Sequence, residues 1–427
     1  MMLKGVFYKK EILPLLLLIS VSLPNSYIGT LLILIVFVFL NRNLIITIPI
    51  GLEKSLRLFF SMFIWMVFSF ALHPASLQNL FWGIFTLSSF LITPLLLKRL
   101  CENVDIGKIL KKYIVLEFGF YIIQYTLLVL NYRTINPFSA TLAAGDFLSG
   151  TSIGNSHQIA VTMGLISLYY LPKVIDKSVT WAWFFLPLIM FLASSYVSAF
   201  IVFGITMIIY LVRNIYWELK KLRIKKKSFV LLTGIFLVAL IFAISQFGNI
   251  QYGLNVINTV GGSNTPRKII GLQKTFLELP SESSELIFTG TGLGTYSSRA
   301  ALITGGEYLT PQPSFIPTTP SFYTKKYILP LWNRELTKRG SENSVANQPF
   351  VQFQSIFGEG GVIALLLFIA GFLVLLKGRV KDKSVFLLVV FALGIFFFDM
   401  WVEYPSFALF FWFLVYAEKK EVKKIEY

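Results

Sequence analysis

Cysteine, histidine and charge are all scarce in this 427-residue chain. Its single cysteine, Cys101, rules out an internal disulfide and any cysteine-built metal cage. Two histidines, His73 and His157, stand far apart and are too few for a metal site, so neither a metal nor a cofactor is expected. Charged residues make up 14% of the chain and mean hydropathy is +0.71, which leaves too little polar surface for a soluble domain of this length. Acidic residues are the rarer sign, 21 against 38 Lys and Arg, and the net charge is +17. A nucleotide loop is missing too. The run Gly290-Thr291-Gly292-Leu293-Gly294 lacks G-x-G-x-x-G spacing and a surrounding strand–helix unit. It reads as a tight turn that needs positive φ or close backbone approach.

What the chain has in abundance is long uncharged apolar runs, such as LLILIVFVFL, LFWGIFTLSSFLITPLLL and VIALLLFIAGFLVLL. Since a spanning helix needs ~20 mostly apolar residues, these runs predict an all-α polytopic membrane protein with about 12 transmembrane helices. One large external loop domain is expected between helices 9 and 10. The expected units are an N-terminal transmembrane bundle over 1–247, a loop domain over 248–349, and C-terminal helices with a basic tail over 350–427. No small-residue cleavage site follows the basic start MMLKGVFYKK, so the first apolar run reads as an uncleaved span.

Basic clusters fall at Lys9-Lys10, Lys98-Arg99, Lys111-Lys112, Lys220–Lys227, Lys377–Lys383 and Lys419–Lys424, all on one side of such a chain. The positive-inside rule makes that side, and both termini, cytoplasmic, with the chain in the cytoplasmic (inner) membrane and the loop outside. The net charge is then orientation signal against anionic membrane lipids and calls for no nucleic acid.

Within the loop, Thr265-Pro266 reads as a helix start with Thr as the N-cap and Pro first in the helix. The following RKIIGLQKTFLEL would put Ile269, Leu272, Phe276 and Leu279 on one face. The proline- and aromatic-rich tail to Pro349 is expected along the membrane surface. Its aromatics and Tyr296 (with Phe315, Phe322, Tyr323 and Trp332) suit sugar stacking or bilayer packing equally well. Arg267 sits in the first helical turn, where the backbone already favours an anion; an anionic partner such as a phosphate would account for a cation there. Lys268 and Arg299 are weaker candidates of the same kind. Glu117 falls inside a span, where an ionisable side chain is costly and is either functional or equally well paired with a polar group of a neighbouring span. His157 opens another span, and Asp399 and Glu403 lie in FFFDMWVEYP at the outer end of the eleventh.

Three stretches together resemble the O-antigen polymerase/O-antigen ligase family, the Wzy- and WaaL-type membrane glycosyltransferases. GTSIGNSHQIA is similar to the family's span-opening pattern, with His157 where asparagine is usual. PRKIIGLQKTFLELPSESSELIFTGTGLGTY is similar to its loop signature, and SIFGEGGVIALLLFIAGFLVLL to its E-x-G segment, carried by Glu359 and Gly361. Two departures stand out. Asn347-Gln348-Pro349 lacks the histidine typical of ligases, and Tyr196 follows Ser195 where an arginine is usual.

The resemblance implies a polymerase that joins polyprenyl-diphosphate-linked oligosaccharide donor and acceptor units into a surface polysaccharide outside the membrane. Arg267 would hold the diphosphate, assisted by Lys268 or Arg299, and His157 would be the general base, with Glu359 or Asp399 as second choices. A chain-length regulator and a flippase would be partners. The alternatives are a ligase of the same family, a flippase or other transporter of lipid-linked oligosaccharide, and a non-catalytic polysaccharide-assembly scaffold. Glu117 stands nearly alone at depth and no internal repeat is visible, which disfavours a transporter.

Overall fold

The uncharged apolar runs are helical here, even LFWGIFTLSSFLITPLLL with Pro94 inside it. The computed structural model describes residues 9–23, 26–41, 51–73, 75–102, 104–133, 148–194, 196–220, 265–307, 317–333, 347–377 and 383–425. The bundle helices are α1 (Lys9–Ser22), α2 (Ser26–Leu40), α3 (Glu53–Leu72), α4 (Leu77–Leu100), α5 (Ile106–Tyr132), α6 (Ser156–Ile175), α7 (Ala182–Ala193) and α8 (Val197–Lys220). Short helices follow: α9 (Arg267–Gln273), α10 (Leu279–Glu282), α11 (Ser284–Thr289) and α12 (Arg299–Gly305). The bundle closes with α13 (Gln352–Lys377), α14 (Lys383–Ile395) and α15 (Pro405–Ile425). Among the described residues there is no strand, and six helices (α3, α4, α5, α6, α8 and α13) are long and apolar enough to cross a membrane. The other bundle helices are shorter apolar ones. The expected ninth span, at 229–246, lies outside the described residues, as do Ser195 and Phe315.

Polar side chains set several helix starts. Ser76 accepts from the Gln78 N–H, Asp105 from Lys108 and Asn155 from Gln158. Phe407 to Val415 of α15 are all buried, whichever way they face, which makes α15 the central helix. Phe59, Phe372 and Phe396 pack around it, against its Trp412, Phe411 and Phe407, with Phe59 and Phe372 edge-on at 5.1 Å.

Basic helix ends gather at one end of the bundle. Lys112 pairs with Glu11 at 2.6 Å, Lys173 with Glu418 at 3.0 Å and Lys383 with Asp176 at 3.1 Å. The short helices of 265–333 sit at the opposite end, where His73 Nε2 lies 3.0 Å from the Thr289 hydroxyl.

Glu117 is accounted for by a neighbour. Its carboxylate accepts from the Thr151 N–H at 3.0 Å and the Thr151 hydroxyl at 2.5 Å, and bonds to the Tyr113 hydroxyl. It pins the chain entering α6 to the middle of α5, where Gly150 at φ 57° leaves room for it.

The loop helix departs from expectation in start and register. Pro266 is the cap residue, extended at ψ 137°, and the helix begins at Arg267. A π-helical turn over Lys274–Glu278 then inserts extra backbone between α9 and α10. The buried positions are Lys268, Gly271, Thr275 and Leu279, while Phe276 is exposed. Small residues win that face because it lies against Pro349, Gln354 and Tyr296, where a Cβ on Gly271 would be 3.2 Å from Pro349.

The aromatic tail also differs from expectation where it is described. Tyr327, Ile328 and Trp332 are buried in a second core with Leu279, Leu286, Tyr296, Ile303 and Trp82 of α4. The ring tips have partners there: Tyr296 meets the Thr275 hydroxyl at 3.0 Å, and Trp332 donates to the Glu307 carbonyl oxygen at 3.2 Å. Of the named aromatics that are described, Phe322 is the largely exposed one, at 64%.

Candidate functional site

The site begins with the glycine-rich turn, residues 290–298, between α11 and α12. Gly290, Gly292 and Gly294 have φ of 65°, 98° and 78°, as expected for that run. The turn is threaded between α3, α4 and the start of α13. A Cβ on Gly292 would stand 2.5 Å from the Phe70 Cα, and one on Gly294 would overlap the Asn79 carbonyl oxygen. The helix it meets opens to receive it: Gly361 breaks α13 at φ 65°, which leaves the preceding carbonyls pointing outward. Thr291 N–H donates to the Gly358 oxygen at 2.8 Å and Gly292 N–H to the Glu359 oxygen at 2.9 Å, while Leu293 N–H reaches the Met66 oxygen at 3.2 Å. Asn79 closes the other side with a 3.0 Å bond to the Gly294 oxygen.

Gly294→Ala is therefore expected to destabilise the protein by about 3 kcal/mol, combining left-handed strain with overpacking. Gly204→Ala, at a helical site with open space around it, should melt within a degree or so of the wild type. Thermal unfolding in detergent compares the two directly. Equal melting temperatures would refute the close approach.

Glu359 is the anchor of this turn. It is wholly buried, and its oxygens accept three backbone N–H groups: Gly294 at 2.8 Å, Tyr296 at 3.2 Å and Ser298 at 3.4 Å. Beyond Ser298, which caps α12 through Ala301 N–H, Arg299 enters a closed cage. Its backbone N–H donates to Glu403 Oε2 at 3.0 Å and its guanidinium to the Glu403 carbonyl oxygen at 2.7 Å. The guanidinium also lies over the rings of Tyr27 and Tyr404, 5.4 and 5.3 Å from their centroids. Glu403 sits on the turn between α14 and α15. Burial, then the charge of Glu359, push its acid range up to about 8 against the opposing pull of Arg299. Glu359 and Glu403 line one water-sized cavity with Thr86, Ser298 and Gln352.

A more open layer adjoins this cage. Lys268 donates to the Phe350 and Phe398 carbonyl oxygens at 2.7 and 2.8 Å. Burial lowers its ammonium to about 8, partly offset by Asp399. Asp399 is half-buried and accepts the Met400 N–H at 2.7 Å. Its carboxyl is raised by burial and drawn back by that bond, then by Lys268 and Arg299. His157, also half-buried, stacks on the Tyr196 ring at 4.1 Å and 22°. Burial, then the charge of Asp399, raise the Tyr196 phenol well above its ordinary value. Arg267 stands at the rim, donating to the Leu331 carbonyl oxygen at 3.1 Å.

Of the residues singled out from sequence, Lys268, Arg299, Glu359 and Asp399 thus belong to one electrostatic cluster. His157 joins it through Tyr196, and Arg267 lies apart on the outer strap. Their accessibility differs sharply. Glu359 and Arg299 are enclosed and touch protein groups, whereas Asp399, His157 and Arg267 reach the part-open surface. Glu403 is the member that the sequence reading left without a function. Its signal was visible: a second carboxylate four residues after Asp399 inside an aromatic run, too costly there without a partner. No protein-family model, no curated protein and no solved structure matches this chain.

Proposed function

We propose that the chain is a polysaccharide polymerase of the outer face of the cytoplasmic membrane, crossing it about twelve times with both termini inside. It would join oligosaccharide repeat units carried on polyprenyl diphosphate. The observation that carries this reading is the layer of short helices docked at the end of the bundle opposite the basic helix ends. That layer brings Lys268 and Arg299 near Asp399, with His157 reached through Tyr196 and Arg267 apart at the rim, so cations stand close to candidate bases where no nucleotide sugar is available. In the reaction, an acceptor hydroxyl oxygen bonds to the donor's anomeric carbon and the bond from that carbon to the diphosphate breaks. The polyprenyl diphosphate leaves with the bonding electrons, and the hydroxyl proton passes to a base. Such a leaving group needs charge stabilisation more than an acid, which Arg267 at the rim is suited to supply. His157 and Asp399 are the accessible bases; Glu359, held by the turn's amides, serves the turn.

Deleting the gene tests the assignment through chain length. A lost polymerase leaves surface glycan of one repeat unit, or single units accumulating on the lipid outside. A lost ligase leaves long polymer stranded on its lipid carrier, and a lost flippase traps single units inside. Normal-length polymer on the carrier would end the polymerase reading.

A further inference from the structure

Glu403 is a buried titratable group that the chemistry above does not use, and its surroundings are built from three separate elements. Arg299 on α12 gives it a backbone N–H at 3.0 Å, Thr86 on α4 a hydroxyl bond, and Glu359 on α13 faces it across the water-sized cavity. Its own turn is held by Val402 N–H on the Gln352 side chain at 3.0 Å. Glu359 and Arg299 are the charged groups facing it. One step out, around Arg299, lie Tyr27 on α2, Tyr404, and Asp399 with Lys268.

We propose that Glu403, as a neutral carboxylic acid, locks the glycine-rich turn against α13 and so positions Arg299, and that loss of its proton releases the turn. Two carboxylates on one small cavity cannot both hold charge without strong repulsion. Glu359 already uses its oxygens to accept three backbone N–H groups, so the proton belongs on Glu403. Ionised, Glu403 would set a second negative charge against Glu359, and the force would fall on residues 294–299, which join the backbone N–H groups that the two carboxylates accept. Glycines at positive φ precede that segment, and the Gly361 break stands opposite. The range about 8 given above for Glu403 sets the pH window. A folded chain that holds a proton more tightly than the unfolded chain has this contribution in full below the ordinary carboxylate range. The contribution falls as pH rises and is gone once pH passes about 8.

The lock stands independently of the polymerase reading; only its effect on polymer synthesis rests on that reading. Amide hydrogen exchange over 291–299, measured on the full-length protein in detergent across neutral to alkaline pH, reads the lock directly. Protection is expressed against the free-peptide rate at each pH. In the wild type it should collapse with a midpoint near 8. Glu403→Gln, neutral at every pH, should keep its protection throughout. Thr86→Val removes a hydrogen bond that favours the ionised form and should move the midpoint upward, which a purely structural group would not do. A flat wild-type profile, an unmoved midpoint in Thr86→Val, or the same collapse in Glu403→Gln overturns the proposal. The wild-type titration decides by itself if a variant does not fold. Should the collapse occur as expected while no preparation makes polymer from lipid-linked units, the lock survives and the polymerase reading fails.

Discussion

Replacing Arg299 by alanine is expected to cost about 3–5 kcal/mol of stability, a large part of what holds a typical domain folded. Arg299 is the cation at the centre of the cage, wholly buried, bonded to the Glu403 carbonyl oxygen and stacked between two tyrosines. Its removal takes from Glu403 the cation that faces it, leaves Asp399 with Lys268 alone, and opens a void beside the cavity. Breaking one side of a buried charge cluster is far more damaging than replacing the whole cluster, because the surviving charge stays desolvated. Arg299→Lys keeps the charge but not the planar fork, and should recover part of the loss. The decisive comparison is the pair Arg299→Met with Asp399→Asn. Neutralising both partners should cost less than the sum of the single changes, by more than the ~0.5 kcal/mol scatter of independent sites. Thermal and denaturant unfolding in detergent supply these values. An Arg299→Ala protein that melts with the wild type would mean that the guanidinium compensates nothing.

Arg267→Ala should act on turnover instead of stability. Arg267 is half-buried at the rim, where it donates to the Leu331 carbonyl oxygen. Loss of one such bond is worth about 1 kcal/mol of stability. If its guanidinium forks onto a donor diphosphate, its loss removes ~2–4 kcal/mol of transition-state stabilisation, a factor of roughly a hundred to a thousand in rate. Lysine in its place keeps the charge and loses the two parallel hydrogen bonds, so it should rescue in part. Polymer formation from purified lipid-linked repeat units, with folded protein quantified by melting, separates the two effects. Near-normal synthesis by Arg267→Ala removes the phosphate clamp from the account. The contrast with Arg299 is the informative part: two arginines of one loop, one expected to fail in folding and the other in chemistry.

Much of this architecture was legible in the chain. The runs LLILIVFVFL, LFWGIFTLSSFLITPLLL and VIALLLFIAGFLVLL lie within α2, α4 and α13, because an apolar run in a membrane has only its own backbone to bond with. The glycine spacing in Gly290-Thr291-Gly292-Leu293-Gly294 announced a turn with positive φ, because three glycines so close tolerate what other residues do not. The one-sided basic clusters foretold which helix ends gather at one end of the bundle. Other features left only partial signs. Glu117 looked functional because an isolated carboxylate at depth is costly; its partner, Thr151, lies 34 positions on and is a neighbour only after α5 and α6 pack.

By itself, the sequence determined what local physics can determine: which stretches are helical, which end of the chain's helices is basic, and where the backbone must bend through glycine. The tertiary structure alone decided which polar groups meet. It put Lys268 on the buried face of its helix, because the π turn and the small residues Gly271 and Thr275 let the backbone approach α13. It joined Glu359, Glu403 and Arg299, residues from three distant segments, around one cavity. The reason is physical. Helical periodicity and chain polarity are properties of neighbours in sequence, whereas burying a charge is stable only beside a specific partner, and that partner is chosen by packing.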